Sequence, residues 1–230
     1  AGITSYGAKM TLELGSFSFQ PAEFVKISFV FFVASMFYQS LEFKNICITT
    51  VVAALHVVIL VLSKDLGSAV VFFVAYIVML YVATKKARYA LAGLAGGTLA
   101  AVVAYFLFNH VRQRVIVWQD PIAVYDKVGG GYQVAQGLFG ISAGGWFGMG
   151  LGKGMPNIIP VVDKDFIFAA IGEELGAIFA ICMLLVCMSC YLMIVNVSMQ
   201  MSKPFYKLIA MGLGAEYAFQ VFLTVGGTSK

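Results

Sequence analysis

Three carboxylates stand within ten residues where a polar, glycine-rich stretch turns into a very apolar one. They are Asp165, Glu173 and Glu174. A carboxylate at the mouth of a membrane span costs free energy to desolvate, so chains keep one there when it has a partner or a chemical task. Two interpretations of Asp165 follow. It caps the helix after it, which spacing alone favours, or it acts in catalysis or an ion relay.

A helix through 165–176 would place Asp165 above a stripe of small residues. The stripe is Ala169, Gly172 and Gly176. Small residues allow close approach of another helix or of a lipid chain. Glu174 would lie on the opposite face, so the two glutamates cannot both share a cavity with Asp165. We predict that each glutamate forms an interhelical salt bridge to a Lys or Arg of the loops.

Arg112 and Arg114 are candidates for phosphate binding, because the planar guanidinium group binds phosphate through paired hydrogen bonds. Two residues apart, they would point away from each other on a helix and share a face in an extended loop. The alternative is that they pair with Asp120 or Asp126.

Four further ionisable residues carry weaker predictions. Asp65 opens an apolar segment and is interpreted as its cap. His56 lies in mid-span and is expected to be a hydrogen-bonded structural histidine rather than a metal ligand. His110 stands alone and gives no metal pattern, so no metal site is assigned. Glu216 lies in the middle of the last apolar segment and is a functional or ion-pair candidate.

Composition indicates a membrane protein, since the chain is 61% hydrophobic and 11% charged, against about 25% charged in soluble domains. The net charge of +4 is attributed to basic residues in the loops, which set the orientation in the membrane. Nucleic-acid binding is excluded, because no run of basic residues is longer than that at residues 85–88. The four cysteines lie in apolar runs and are interpreted as small buried hydrophobic residues. They are Cys47, Cys182, Cys187 and Cys190.

Six segments are long and apolar enough to span a membrane, which predicts one all-α, polytopic membrane domain over 1–230. The segments are about 22–40, 45–63, 66–83, 88–108, 166–195 and 204–226. Residues 1–20 are expected to form a loop, 22–108 four spans, 109–165 a large loop, and 166–226 two spans. The start of the fifth segment, 166–174, is expected in the interface or buried in protein.

The large loop 109–165 carries two local predictions. Residues 132–143 are expected to form a short amphipathic or re-entrant helix. The glycine-rich stretch that follows either brings backbone amides close to an anion or is a flexible turn.

Lysine and arginine in the short loops predict the orientation. Five lie in the loops on one side and one in the loop on the other: Lys44, Lys85, Lys86, Arg88 and Lys203 against Lys64. The first side is therefore expected inside, which puts 1–20 and 109–165 outside the cell. Residues 1–20 hold no signal peptide and the chain has no initiator Met, so we expect a piece of a longer membrane protein.

Several motifs, in order along the chain, resemble the SEDS family of shape, elongation, division and sporulation proteins, such as RodA, FtsW and SpoVE. The blocks are the run from Gly15 to Lys26 with its Phe-Gln-Pro-Ala-Glu, Asp65-Leu66-Gly67-Ser68, Arg112-Gln113-Arg114-Val115 with Asp120-Pro121, Gly131-Tyr132-Gln133 with Gln136, Ser142 with the glycines to Gly150, and Asp165-Phe166-Ile167-Phe168-Ala169 with Glu173-Glu174-Leu175-Gly176.

The resemblance implies a fold of ten helices, of which this chain would hold the fourth to the ninth, in a bacterial cytoplasmic membrane. It implies a peptidoglycan polymerase, an inverting glycosyltransferase that joins lipid II units beside a class B penicillin-binding protein. Which process it serves, elongation, division or sporulation, stays open. Alternatives are a lipid II flippase or a non-catalytic scaffold. We expect the present chain to be inactive by itself.

The resemblance also implies site residues. Asp165 matches the essential aspartate of the family and would be the general base. Charge on the leaving pyrophosphate would be met by Arg112, Arg114, Lys26 or a divalent cation, Mg or Mn. Other implied substrate contacts are Glu23, Asp65, Gln133, Gln136, Glu173 and Glu174. The small-residue face below Asp165 would form one wall of a groove for the undecaprenyl tail.

The chain departs from the family pattern at two places. Gly7-Ala8 is followed by Lys9-Met10-Thr11, where the family has Arg-Trp. The family's Pro-Glu before the aspartate block reads Pro160-Val161-Val162-Asp163, so a neighbouring carboxylate is shifted to Asp163.

Overall fold

The computed structural model describes residues 2–5, 8–14, 17–19, 21–126, 131–163 and 165–229. Within these ranges it contains eight α-helices, and six of them are long and apolar enough to cross a membrane: α1, α2, α3, α4, α7 and α8. The helices are α1 (Pro21–Gln39), α2 (Phe43–Leu62), α3 (Leu66–Thr84), α4 (Ala87–Leu107), α5 (Asn109–Gln119), α6 (Gly131–Gly144), α7 (Ile167–Gln200) and α8 (Pro204–Ser229). The predicted all-α polytopic class with six spans is confirmed.

Local chemistry explains where the first spans begin and end. Pro21 opens α1, a position where a missing amide hydrogen costs nothing. Helices α2 and α3 form a tight hairpin because Lys64 adopts a left-handed conformation with φ of 65°. Asp65 then caps α3 by accepting a hydrogen bond from the Ser68 amide at 3.0 Å. The capping interpretation of Asp65 is therefore what the structure shows.

Within residues 1–20, expected to form a loop, the described residues form a small antiparallel sheet. Its strands are β1 (Gly2–Ser5), β2 (Ala8–Leu14) and β3 (Phe17–Phe19), in the order β1-β2-β3. The register pairs Gly2 with Leu12 and Leu14 with Phe17. The strand signal was present in the sequence, because apolar and polar residues alternate strictly through Ala8–Leu14.

The chain forms two compact units. The first comprises 1–101 and 191–219. Its core contains the buried side chains Val30, Val33, Phe72 and Met79. In this unit α1 and α8 run antiparallel, since the rings of Tyr38 and Phe205 meet and Gly212 lies against Val30.

The second unit comprises 102–190 and 220–230. Its small apolar cluster is built on the buried residues Ile159, Phe166 and Ala169. The region 109–165, expected to be a large loop, supplies α5, α6 and a single-turn 3-10 helix at Pro156–Ile158 to this unit. Helix α6 covers the stretch 132–143 that the sequence predicted as helical.

Helix α7 is broken at Gly176, where φ is 84° and ψ is 171°. Only glycine adopts such a conformation readily. The break separates a short segment, 167–175, from a longer one, 177–200, and the longer one alone exceeds the roughly 20 residues that a span needs. The long fifth segment is thus two helical pieces joined at a glycine.

The predicted burial of the cysteines was wrong. Cys47, Cys182 and Cys190 are exposed and Cys187 is half-buried. They lie on the outer surfaces of spans, where apolar residues face lipid rather than a protein core. Cys187 and Cys190 also have the C-x-x-C spacing.

Candidate active site

Asp165 lies exposed in the turn before α7. Its neighbours anchor the turn, because Phe166 and Phe168 are both 7% exposed and Phe166 packs in the cluster with Ile159 and Ala169. No described residue forms a hydrogen bond or ion pair with the Asp165 carboxylate. Buried neighbours therefore hold the backbone of Asp165 in place, while its side chain is exposed.

The capping interpretation of Asp165 was wrong for the described part of the chain. Helix α7 begins at Ile167, two residues after the aspartate, so Phe166 occupies the position from which a side chain caps. A capping side chain has to reach the second or third helical amide from that position. No amide in the first turn of α7 donates to Asp165.

Glu173 and Glu174 bind the glycine-rich segment that follows α6, which we call the glycine loop (residues 145–155). The Glu173 Oε1 accepts a hydrogen bond from the Met155 amide at 2.7 Å, and the Glu174 Oε1 accepts one from the Gly152 amide at 3.1 Å. Glu173 is buried. The predicted salt bridges to Lys or Arg do not form among the described residues.

For the glycine loop the sequence left two interpretations open, backbone amides close to an anion or a flexible turn. Its amides do bind anions, and these are the chain's own carboxylates. Because each bond joins a charged acceptor to a backbone donor, it is stronger than a neutral one. The structure therefore places Glu173 and Glu174 as supports of the loop.

The glycine loop also completes the backbone hydrogen bonds that the break in α7 leaves open. The amides of Met149 and Gly150 donate to the carbonyl groups of Glu173 and Glu174 at 2.9 and 3.0 Å. In the opposite direction, the carbonyl groups of Gly145 and Trp146 accept from Ala177 and Ile178 at 2.9 and 3.2 Å. A broken helix at membrane depth needs such partners, because lipid offers none.

The small-residue stripe of α7 packs against α6. A Cβ on Gly144 would overlap the carbonyl oxygen of Gly172, and one on Gly137 would lie 3.6 Å from the Cβ of Ala169. Of the two partners that the stripe admits, a helix or a lipid chain, the structure shows the helix. The expected groove wall for an undecaprenyl tail was therefore wrong, because α6 fills that space.

Arg112 and Arg114 are exposed on α5. Since α5 is helical, the two side chains leave it about 200° apart, as 100° per residue requires. Neither forms an ion pair with a described residue. Asp120, one of the predicted partners, instead accepts hydrogen bonds from the amides of Ile122 and Ala123 at 3.2 and 3.0 Å.

The two glutamines of the resemblance lie on α6 and are half-buried. The side-chain amide of Gln136 donates to the Tyr125 hydroxyl at 2.8 Å. Gln133 lies one turn earlier on the same helix. Tyr125 was not among the predicted site residues, and a lone tyrosine in a loop carries no spacing signal that singles it out.

Lys26 is buried in the first unit, where its ammonium group donates to Glu23 at 2.6 Å. The antiparallel register of α1 and α8 brings Glu216 into this neighbourhood. The Glu216 Oε1 has no hydrogen-bond partner among the described residues. Glu216, the predicted ion-pair candidate, thus lies near the ion pair that Lys26 forms with Glu23.

His56 is a structural histidine, as predicted. Its Nδ1 lies 2.8 Å from the carbonyl oxygen of Val52 in the same helix, and its ring contacts those of Phe29 and Phe72. Among the described residues, no group of three or more His, Cys, Asp or Glu side chains is placed to hold a metal ion.

The chain matches a known protein family and is similar to several known proteins. A family model described as "Cell cycle protein", named for FtsW, RodA and SpoVE, matches residues 1–230. The peptidoglycan glycosyltransferase RodA of Mycobacterium tuberculosis is 34% identical over 240 residues, which cover 97% of this chain and 51% of the relative. The probable peptidoglycan glycosyltransferase FtsW of Aliivibrio salmonicida is 32% identical over 243 residues, which cover 99% and 59%.

A solved structure of a peptidoglycan synthase complex contains a chain with the same fold. That chain superimposes with a TM-score of 0.80 at 22% identity, over 99% of the present chain and 65% of its own length. The present chain spans about half the length of the RodA relatives that it matches.

Proposed function

The chain belongs to the FtsW, RodA and SpoVE family of cell cycle proteins, and on this premise we propose that the whole protein is a peptidoglycan glycosyltransferase. It joins lipid II units into glycan strands at the outer leaflet, in elongation, division or sporulation. The observation that carries the proposal is the exposed carboxylate of Asp165, which is anchored by buried neighbours and has no partner among the described residues.

Asp165 would act as the general base. The hydroxyl group of the acceptor sugar attacks the anomeric carbon of the donor, and the carboxylate accepts the hydroxyl proton as the new bond forms. The bond from the anomeric carbon to the lipid pyrophosphate breaks at the same time, with inversion of configuration. A carboxylate already engaged by backbone amides, such as that of Glu173, is less suited to this role because protonation would weaken those bonds.

The leaving pyrophosphate would be bound by an arginine of α5. Arg112 and Arg114 are exposed and have no ion-pair partner among the described residues. Because they diverge on the helix, we assign the contact to one of the two rather than to a clamp formed by both. Lys26 is less suited, since it is buried and bound to Glu23.

The other predicted substrate contacts divide into two groups. Gln133 and Gln136 remain proposed contacts, because α6 packs directly on the segment that follows Asp165. We assign structural roles to those carboxylates whose partners are supplied by the chain itself. These are Glu23, Asp65, Glu173 and Glu174.

A divalent cation, Mg or Mn, remains a proposal that rests on substrate chemistry. Magnesium is commonly held by one or two carboxylates together with substrate phosphates. Asp165 would be the available protein ligand, and such an ion would neutralise charge on the pyrophosphate. The described residues form no cage for a metal by themselves, so the reaction steps above involve none.

The six spans and the family make this a multi-pass protein of a bacterial membrane. We propose that the membrane is the cytoplasmic one and that 109–165 lies outside the cell. The distribution of lysine and arginine in the short loops supports this orientation. A class B penicillin-binding protein is the proposed partner, which is consistent with the likeness to a chain in a peptidoglycan synthase complex.

The test is polymerisation of labelled lipid II by the purified full-length protein, with and without the partner. Moenomycin is added to suppress transferases of the penicillin-binding type. We expect glycan strands in the presence of moenomycin. Absence of product under every condition, while a known polymerase is active on the same lipid II, would contradict the proposal and favour a non-catalytic scaffold.

A lipid II translocase is the second candidate, and the buried Glu216 is the observation that favours it. An ionisable path through the bilayer needs charged groups at depth. His56 offers little to such a path, because its Nδ1 is engaged by Val52 of its own helix. Movement of labelled lipid II between the leaflets of vesicles, without polymer, would select this candidate.

A further inference from the structure

The glycine loop carries large apolar side chains that the described part of the protein leaves uncovered. Phe147 is 85% exposed, Leu151 is 77% exposed and Trp146 is 67% exposed. Such a cluster in water would be unfavourable, and contiguous exposed apolar surface commonly marks contact with a membrane or a partner.

The hydrogen bonds of the loop fix its depth relative to a span. The carbonyl groups of Gly145 and Trp146 accept from the first two amides of the longer segment of α7. The backbone of the loop therefore lies level with the first turn of a membrane-crossing helix. At that turn Ile178 and Phe179 are also exposed, so the apolar residues of the loop adjoin exposed apolar residues of that helix.

The backbone of the loop is bound in part by the chain itself. Six of the eleven amides of residues 145–155 donate to acceptors within the chain: Gly148 to Gly144, Met149 to Glu173, Gly150 to Glu174, Gly152 to the Glu174 carboxylate, Lys153 to Gly150 and Met155 to the Glu173 carboxylate. Irregular backbone at membrane depth needs hydrogen-bond partners within the protein, whereas the backbone of a loop in water can bind water instead.

The side-chain chemistry fits the boundary between headgroups and acyl chains. Tryptophan is enriched at this depth, and lysine reaches from it toward water. Lys153 is exposed two residues after Leu151. We propose that the glycine loop is a membrane anchor, which inserts Trp146, Phe147 and Leu151 among the acyl chains at the N-terminal end of the longer α7 segment. This proposal does not depend on the proposed function.

The experiment measures tryptophan fluorescence of the full-length protein in nanodiscs. The lipids carry bromine near the headgroup end, in the middle or near the methyl end of the acyl chain, and iodide serves as the quencher in water. The emission of Trp146 is obtained by subtracting the spectrum of Trp146→Phe from that of the parent. The same subtraction with Trp118→Phe shows that single tryptophans are resolved.

We expect the shallow bromines to remove about half of the Trp146 emission, since the residue is placed at the interface, and iodide to have little effect. Leu151→Trp in the Trp146→Phe background should give the same pattern. Quenching by iodide rather than bromine would overturn the proposal by placing the loop in water. Quenching by neither would overturn it by showing that protein covers the loop. Strongest quenching by the deepest bromines would contradict the assigned depth.

Discussion

The turns before α3 and α7 look alike in sequence and differ in structure. Each contains an aspartate that precedes a long apolar helix. Asp65 is buried, directly precedes Leu66 and caps α3 through the Ser68 amide. Asp165 is exposed, stands one residue further from its helix and caps nothing among the described residues. A displacement of one residue thus separates a carboxylate that caps its helix from one that binds no described residue.

The largest expected effect tests this difference at Asp165. Asp165→Asn keeps the shape of the side chain and removes its ability to accept a proton at neutral pH. We expect lipid II polymerisation by the full-length protein to fall by about 100-fold to 10,000-fold, the usual contribution of a general base, with an unchanged melting temperature.

Asp163→Asn is the matched control, because Asp163 is an exposed carboxylate two residues earlier. It should retain polymerisation close to that of the parent. If Asp163→Asn were inactive and Asp165→Asn active, the base would be the shifted carboxylate and the comparison of the two turns would lose its meaning.

The position of the turn before α7 depends on the close packing of α6. A methyl group at Gly144 would overlap the carbonyl oxygen of Gly172, and backbone cannot give way as a side chain can. We expect Gly144→Ala to lower the free energy of unfolding by about 3 kcal/mol. Thermal unfolding of the protein in nanodiscs measures the change.

Gly96→Ala is the control for that substitution, since Gly96 lies within α4 and nothing is within 4 Å of an added Cβ. Alanine is the better helix former by about 1 kcal/mol, so Gly96→Ala should be neutral or stabilising. Equal destabilisation by the two changes would show that the contact between α6 and α7 is not tight.

The glutamates of α7 extend the comparison to carboxylates eight and nine residues beyond Asp165. Glu173→Gln keeps the size of the side chain but replaces a charged acceptor of the Met155 amide by a neutral one. We expect a loss of about 1 to 2 kcal/mol in stability, as for hydrogen bonds to charged groups. Activity at a temperature where the variant stays folded should fall much less than in Asp165→Asn.

Glu174→Gln provides a graded control, because Glu174 is less buried and its bond to Gly152 is longer, at 3.1 Å. Its loss of stability should be the smaller of the two. Loss of activity in Glu173→Gln equal to that in Asp165→Asn, with stability unchanged, would instead make Glu173 part of the reacting site.

The sequence predicted the helices better than it predicted which residues bind each other. The six spans follow from long, largely apolar stretches, and the small residues Ala169 and Gly172 did indicate close packing. The break at Gly176 was missed although a glycine inside an apolar helix is a known signal, because Gly176 also fitted the helical stripe. That the glutamates bind the glycine loop was not predictable, since those contacts join residues about 20 positions apart with no periodic pattern.

The smallest expected effect returns to the two aspartates. Asp65→Ala removes the side-chain acceptor of the Ser68 amide at the start of α3 and should cost about 1 kcal/mol of stability, as is typical for a lost helix cap. Asp165→Ala removes a side chain without a described partner and should change stability by less than about 0.5 kcal/mol. Paired thermal unfolding of the two variants measures the difference directly. Equal losses would mean that Asp165 also stabilises its helix. Its carboxylate would then have to leave that interaction before it could act in the proposed reaction.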